Sequence, residues 1–532
     1  MKRRSFLKNI PGAAATTVIG GHALFAEVSN PMVQALHGMM FDTDRVIVIV
    51  QLNGGSDGLN TIFPLDQYDQ LKIARGNMLM PAGSILKLND KTGIHPAMAA
   101  MHDLYQDGKL GVIQNVGYPD FNYSHFRATD IWLSASDSKE VLDSGWAGRY
   151  LNYEYSNYPV GYPNEVMPDP LAIRVGDGVG LGLQMMGVNM GIAINNASDP
   201  VNLTGNIFKD PVSADYVGKE LAYVREVQRQ TDKFGDVILA AYNKSKNLSA
   251  KYPSTNNTNT NNNLTNQLKI VARLIAGGLK TRIYWVSTGG FDTHAAQVDA
   301  ADFTKGTHAN LLKGISDNVA AFVDDCNLLG LGDRVVGFTF SEFGRRIKSN
   351  ASLGTDHGSA LPVIYFGNKV LPKVVGNNPI ILPDVNTNSN LPMGYDFRSV
   401  YGTFLSQWFC VPQADVNNML YDNFQNLPIL GAENCLSTAT HELNVHNGRQ
   451  MIKVYPNPFV DKTKVDFESL GGFVRLQVFN NQGSVIQSLV NKELIKGKYT
   501  MDLNIENQAS GIFYIRWENG ALTQTKSMMK VR

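Results

Sequence analysis

Aspartate, histidine, glutamate, serine and arginine recur in this chain in short, mostly glycine-flanked groups. Such a mixture can hold a cation and act on an anion. Asn53-Gly-Gly-Ser-Asp-Gly-Leu59 carries Asp57, and Tyr123-Ser-His-Phe-Arg127 carries Ser124, His125 and Arg127. Gly289-Gly-Phe-Asp-Thr-His294 supplies Asp292 and His294, Ser341-Glu-Phe-Gly-Arg-Arg346 supplies Glu342, and Gly354-Thr-Asp-His-Gly358 supplies Asp356 and His357. Carboxylates with imidazoles suit zinc, manganese or iron better than calcium alone. Asp57, Asp292, His294, Glu342, Asp356 and His357 are therefore candidate ligands of divalent metal ions, with zinc or manganese the first choices. Ser124 stands at the start of a helix expected over Phe126–Leu133, where free backbone N–H groups favour an anion. It is the candidate nucleophile, with His125 and Arg127 placed to hold transferred oxygens. Ser56 ranks second as a nucleophile.

Each group also has a plainer reading. Asp57 can belong to a simple turn, and Asp292 or His294 can cap a helix starting near Ala295. Asp356-His357 can form a tight turn, Glu342 with Arg345 and Arg346 a solvated ion-pair face, and Ser124 an ordinary N-cap. What favours one common site is the position of the groups relative to the strands. Arg45–Leu52 is almost continuously apolar and β-branched, as expected of a strand buried on both faces of a parallel sheet. Leu110–Val116, Arg282–Ser287, Arg334–Phe340 and Pro362–Phe366 read the same way. Helical patterns cover Asp215–Lys246, Thr265–Leu279 and His308–Leu329. This alternation predicts an α/β doubly wound sheet. Three of the polar groups directly follow a strand, so they should converge at the carboxyl edge of the sheet. The Asn/Thr tract Pro253–Gln267 reads as an exposed loop, and Val175–Gly191 as an irregular loop near the sheet edge.

The two ends read as addresses. Met1-Lys-Arg-Arg-Ser-Phe-Leu-Lys8 and the weakly apolar run after it describe an export signal over residues 1–30. Polar residues 436–450 read as a linker, and residues 451–532 as a small β-sandwich of short alternating strands. That leaves 40–435 as one large domain. With 47 basic against 47 acidic residues, the balance offers no electrostatic case for nucleic acid. After the signal, no run of about 18 apolar residues predicts a transmembrane segment in the mature chain. Three cysteines are too few for a disulfide framework or a Cys-rich zinc site.

Several of these segments resemble known families. Arg3-Arg4 with Phe6, Leu7 and Lys8 resembles a twin-arginine (Tat) signal, which implies the Tat translocon as a partner and export of an already folded chain. Lys453-Val-Tyr-Pro-Asn-Pro-Phe459, the Gly483 turn, Ala509–Tyr514 and the terminal Lys526–Arg532 resemble the type A C-terminal sorting domain of the type IX secretion system. That resemblance implies passage through the periplasm and an extracellular or cell-surface destination. The GGSDGLN, YSHFRATDIW, GGFDTH and SEFGRR…GTDHG segments resemble the domain of unknown function 1501 family. Their order is similar to the alkaline phosphatase-like superfamily, which implies a metal-dependent hydrolase of phosphate or sulfate esters on a small-molecule or glycan substrate. Two departures from that superfamily stand out. Asp292 and His294 flank one residue where three are usual, and no histidine follows His357 before His441 and His446. The Cys-x-Pro-x-Arg context of formylglycine sulfatases is also missing, which favours phosphoesterase over sulfatase. The competing expectation is a non-catalytic surface binding protein on a hydrolase-like fold.

Overall fold

Val46–Leu52 (β1) is a seven-residue strand buried along its whole length, and its alternate side chains feed two separate cores. Ile47 and Ile49 point to one, while Val46, Val48, Val50 and Leu52 point to the other. A strand apolar on both faces needs cover on both sides, and the rest of the domain supplies it. In the computed structural model the described residues are 17–19, 22–24, 44–155, 157–198, 212, 216–254, 262–431, 435, 452–480, 485–519 and 522–531. Apart from two three-residue strands, the expected export signal lies outside the described residues, as does the 436–450 linker.

The chain divides into two units, one centred on residues 41–434 and one containing the tail. In the first, a nine-stranded sheet runs through Leu110–Gly117 (β2), Ala172–Val175 (β3), Ile192–Ile194 (β4), Ile283–Thr288 (β5) and Val335–Ser341 (β6). A hairpin outside the sheet follows, Arg345–Ser349 (β7) with Thr355–His357 (β8). Leu361–Gly367 (β9), Val374–Val375 (β10) and Tyr395–Asp396 (β11) complete the sheet. Its order is β4-β3-β5-β1-β6-β9-β2-β10, with β11 also on β2. Neighbours β5, β1 and β6 are parallel, but β9 is antiparallel to both β6 and β2. The large sheet is therefore mixed. This corrects the parallel reading of Pro362–Phe366: an apolar run shows burial on both faces but carries no direction.

One sheet face is covered by His125–Ser134 (α3), Trp146–Glu154 (α4), Phe397–Thr403 (α8) and Gln413–Leu420 (α9), packed with Ile47, Trp285 and Phe338. The other is covered by Ala99–Gln106 (α2), Tyr216–Lys244 (α5), Asn262–Ala276 (α6) and Thr307–Leu328 (α7), packed with Val48, Tyr284 and Val335. A short helix, Tyr68–Arg75 (α1), lies against the β7/β8 hairpin side. Helix α6 starts inside the Asn/Thr tract, so residues 262–267 are helical and not loop. Val175–Gly191 leads to edge strand β4 as expected, through a short turn and a two-residue hairpin.

The tail is all β. Ile452–Tyr455 (β12), Lys462–Ser469 (β13) and Gly497–Asn504 (β16) form one sheet; Gly472–Phe479 (β14), Val485–Leu494 (β15), Gly511–Asn519 (β17) and Leu522–Lys530 (β18) form another. Val465, Leu476, Leu503, Ile515 and Trp517 fill its own core.

Candidate metal centre

The loops at the carboxyl ends of β1, β5, β6 and β2 meet, joined by the hairpin that leads into β9. Close approach of backbones is what the glycines of the first loop allow. Gly54 has φ +122, and a Cβ there would lie 2.4 Å from the Asp292 nitrogen. Gly354 admits the hairpin in the same way, since a Cβ on it would lie 2.3 Å from the His294 carbonyl.

Where these loops meet, His125, Asp292, His294 and His357 form a cluster. His294 Nε2 lies 2.9 Å from His357 Nε2, and each is 3.1 Å from Asp292 Oδ1. His125 Nε2 approaches the other oxygen, Oδ2, at 3.5 Å. The opposite nitrogen of every ring is already held. His125 Nδ1 meets Glu342 Oε1 at 2.7 Å, His294 Nδ1 meets Asp356 Oδ1 at 3.2 Å, and His357 Nδ1 meets the Tyr123 carbonyl at 3.0 Å. A carbonyl only accepts, so His357 Nδ1 carries the proton, and the carboxylates set the same tautomer for the other two. Three Nε2 lone pairs then face one carboxylate. At this spacing they repel unless a cation, a proton or a metal ion, lies among them. Ligand atoms on a tetrahedral metal with bonds of about 2.0–2.1 Å stand about 3.3 Å apart. The three-atom contact is close to that value, so the residues present fit such an ion. Of the four, those whose ligand atoms all lie within 4.8 Å of one another are His125, Asp292 and His357.

The centre opens to solvent on one side, with the Asp292 side chain 48% exposed, and rests on buried groups on the other. Glu342 also accepts from the Gly54 N–H at 2.8 Å and from Ser341 Oγ at 3.0 Å. Arg345 is buried and ties the loops together. Its Nε donates to Gly55 O at 2.6 Å, its Nη1 to Thr355 O at 2.8 Å, and its Nη2 to Phe291 O, Gly54 O and Asp292 Oδ1. Burial works against the charged form of Asp292, but effects led by the Arg345 hydrogen bond and charge outweigh it and hold its carboxyl down to about 2. Asp356 is also lowered: its partial burial is outweighed by Asn350 and His294. Burial lowers the pKa of His357 against the opposing pull of Asp292.

The remaining sequence candidates are placed differently. Asp57 is fully buried, with Oδ2 accepting from Arg75 Nη1 and Gln297 Nε2, each at 2.6 Å, and Oδ1 from the Leu59 N–H at 3.2 Å. Burial raises its pKa but Arg75 more than reverses that, so Asp57 is a salt-bridged support under the cluster and not a member of it. Arg127 turns to the 136–140 loop, donating from Nη2 to the carbonyls of Asp137, Ser138 and Glu140. Those bonds commit its Nη2 to the loop. Ser124 is the exposed N-cap of α3 and its hydroxyl makes no capping bond, whereas Ser56 is buried. Glu342 and Asp356 lie behind the ring nitrogens. The sequence reading did not put His125 among the inner groups, nor Arg345 beneath them. The Arg345-Arg346 pair carries no sign of which arginine turns inward.

The site and fold define a mixed α/β domain whose strand-end loops gather three histidines and an aspartate, followed by an all-β tail. Residues 44–420 match the family described as Protein of unknown function (DUF1501), and the chain belongs to that family. Residues 453–531 match the secretion system C-terminal sorting domain, which directs the chain to the cell surface or extracellular space and implies the secretion machinery as a partner. No helix among the described residues is long and apolar enough to cross a membrane. One solved structure, from Bacteroides thetaiotaomicron, is titled for the metabolism of multiple glycosaminoglycans and labelled 4S-sulf. It aligns over 84% of this chain and 89% of that one, at 9% identity and a TM-score of 0.31. That likeness is too loose to bear on activity. No curated protein matches the sequence.

Proposed function

We propose that this chain is an exported metal-dependent hydrolase of phosphate or sulfate esters on an alkaline phosphatase-like doubly wound domain. One divalent ion, zinc or manganese, is held by His125, Asp292, His294 and His357. The observation carrying this reading is that three Nε2 atoms converge on Asp292 while every Nδ1 is engaged. Metal-binding histidines commonly donate their second nitrogen to a carboxylate or carbonyl, which fixes ring and tautomer. Glu342, Asp356 and the Tyr123 carbonyl take that part. When bound, the ion would polarise an ester oxygen and ease deprotonation of an attacking hydroxyl. The chain's own groups supply the rest. Ser124, with a free hydroxyl next to His125, is the attacking group, and Arg345 holds the loops and Asp292 in register.

Export begins with the twin-arginine signal of residues 1–30, so a folded chain can carry its ion across the inner membrane. The 451–532 tail then serves type IX secretion beyond the periplasm. A non-catalytic surface protein would share the ion but not the turnover. Metal analysis of the purified full chain, followed by assays on an aryl phosphate, an aryl phosphodiester and an aryl sulfate after reconstitution, decides between them. We expect about one ion per chain, and loss of both ion and turnover in His294→Ala and His357→Ala. An ion without turnover on any ester supports the binding protein, and absence of both ends the proposal.

A further inference from the structure

His357 is gripped at two points, and the two residues that grip it touch each other. Its Nδ1 donates to the Tyr123 carbonyl at 3.0 Å, and its own carbonyl accepts from Arg346 Nε at 3.0 Å. The Arg346 guanidinium lies 5.7 Å from the Tyr123 ring centroid, which closes the triangle. Arg346 follows Arg345 on β7, and successive strand side chains leave on opposite faces. One arginine therefore bonds Asp292 while the other turns to Tyr123. The Arg346 guanidinium is anchored in its turn, with Nη1 donating to the Thr387 carbonyl at 3.0 Å and to Asn388 Oδ1. The same 386–390 loop holds the far end of Tyr123, where Asn390 Nδ2 donates to the hydroxyl at 3.1 Å. That loop is tied to β7 by the bond from the Ile347 N–H to the Ser389 carbonyl at 3.1 Å.

We infer that Arg346 is a positioning residue for the metal centre, a strut that fixes the Tyr123 carbonyl and the His357 backbone relative to each other and so aims the His357 Nε2 lone pair at Asp292. The inference rests on the metal reading for its function, but not for the contacts themselves. Charge and position give opposite expectations here. A guanidinium beside a cation repels it, so on charge alone its removal should tighten metal binding. As a strut, its removal should weaken binding. A lysine keeps the charge but has neither the planar fork nor the stacking face, so it does not replace an arginine that bonds two carbonyls and covers a ring.

The test uses the full chain, isotope-labelled at histidine, as the parent and as Arg346→Met, Arg346→Lys and Tyr123→Phe. Zinc affinity is read by competition with a chromogenic chelator at a temperature where every variant is folded. The His357 Nδ1 proton is followed by nuclear magnetic resonance of the chelated protein, with His357→Ala identifying its signal. Both Arg346 variants should bind zinc about 10- to 100-fold more weakly than the parent and lose the exchange-protected Nδ1 proton. Tyr123→Phe, which keeps the ring and the carbonyl but not the Asn390 bond, should show a smaller loss in the same direction. Zinc affinity in Arg346→Met equal to or above the parent's, or a protected Nδ1 proton in both Arg346 variants, overturns the inference. If neither Arg346 variant folds, Tyr123→Phe decides, and parent-like behaviour in both readouts overturns it. If the parent binds no zinc, the metal reading fails and the proton alone decides: its loss in the Arg346 variants upholds the strut and its persistence overturns it. If parent and variants bind zinc alike, the strut fails and the metal reading stands.

Discussion

His125 and Glu342 each do work that residue type alone would assign to the other. Glu342, acidic and next to a strand end, looks like a ligand, yet it is buried with both oxygens engaged and orients His125 from behind. Glu342→Gln should therefore weaken metal affinity about 10- to 100-fold, with little change in melting temperature, as read by competition with a chromogenic chelator. Unchanged affinity would put Glu342 outside the supporting ring. Asp57 gives the reverse expectation. Asp57→Ala leaves Arg75 buried without its partner, which should cost about 3–5 kcal/mol of stability while metal stoichiometry stays the same. Loss of the ion at temperatures where the variant remains folded would contradict that assignment. The groups that gather were legible in the sequence, because glycine-flanked Asp and His follow strands. Which atoms face inward was not. Asp57 and Asp292 both sit in glycine-rich turns after a strand, and only the buried arginine meeting each one separates their parts.

At the scale of elements, the hairpin β7/β8 delivers Arg345, Asp356 and His357 together, and its contact with the 289–294 loop depends on Gly354. Gly354→Ala pushes a methyl into the His294 carbonyl, a backbone atom that cannot swing aside. The expected result is a loss of about 1–3 kcal/mol with weaker metal binding, measured by thermal unfolding with and without added zinc. A variant as stable and as metal-avid as the parent would show that hairpin and loop are not in contact. The strands β1, β2, β5 and β6 could be read from their continuous apolar runs, and α5, α6 and α7 from their helical periodicity. The hairpin could not, since Arg345–Ser349 has one fully apolar side chain in five. The reversal of β9 was equally hidden, because burial on two faces specifies a sheet interior but not a direction.

At the scale of the whole domain, two buried histidines outside the centre make stability depend on pH. His95 Nδ1 accepts from the Ala97 N–H at 3.0 Å and His308 Nδ1 from Asn60 Nδ2 at 3.1 Å, so both rings are neutral. Burial, with repulsion from His308, pushes His95 from 6.5 down to about 3. Burial also pushes His308 down to about 4, against the pull of Asp57. Between 6.5 and those values the unfolded chain binds protons that the folded chain refuses. Stability is thus full above 6.5 and falls as pH drops through this window, each unit of gap being worth about 1.4 kcal/mol per histidine before relaxation. Asp57, lowered by Arg75, adds a further loss once pH falls below the ordinary carboxylate range. Thermal scans of the chelated protein should show a lower melting temperature at about pH 5 than at about pH 7.5, and a smaller difference in His308→Gln. A flat profile across that range would contradict the burial of the pair.

The most direct measurement is X-ray absorption at the metal edge of the zinc-loaded full chain, alongside His125→Ala, His294→Ala and His357→Ala. One ion with three imidazole nitrogens and one carboxylate oxygen at about 2.0–2.2 Å is predicted, with one imidazole lost in each variant that still binds. A centre with no imidazole scattering, or one left unchanged by all three substitutions, would contradict it.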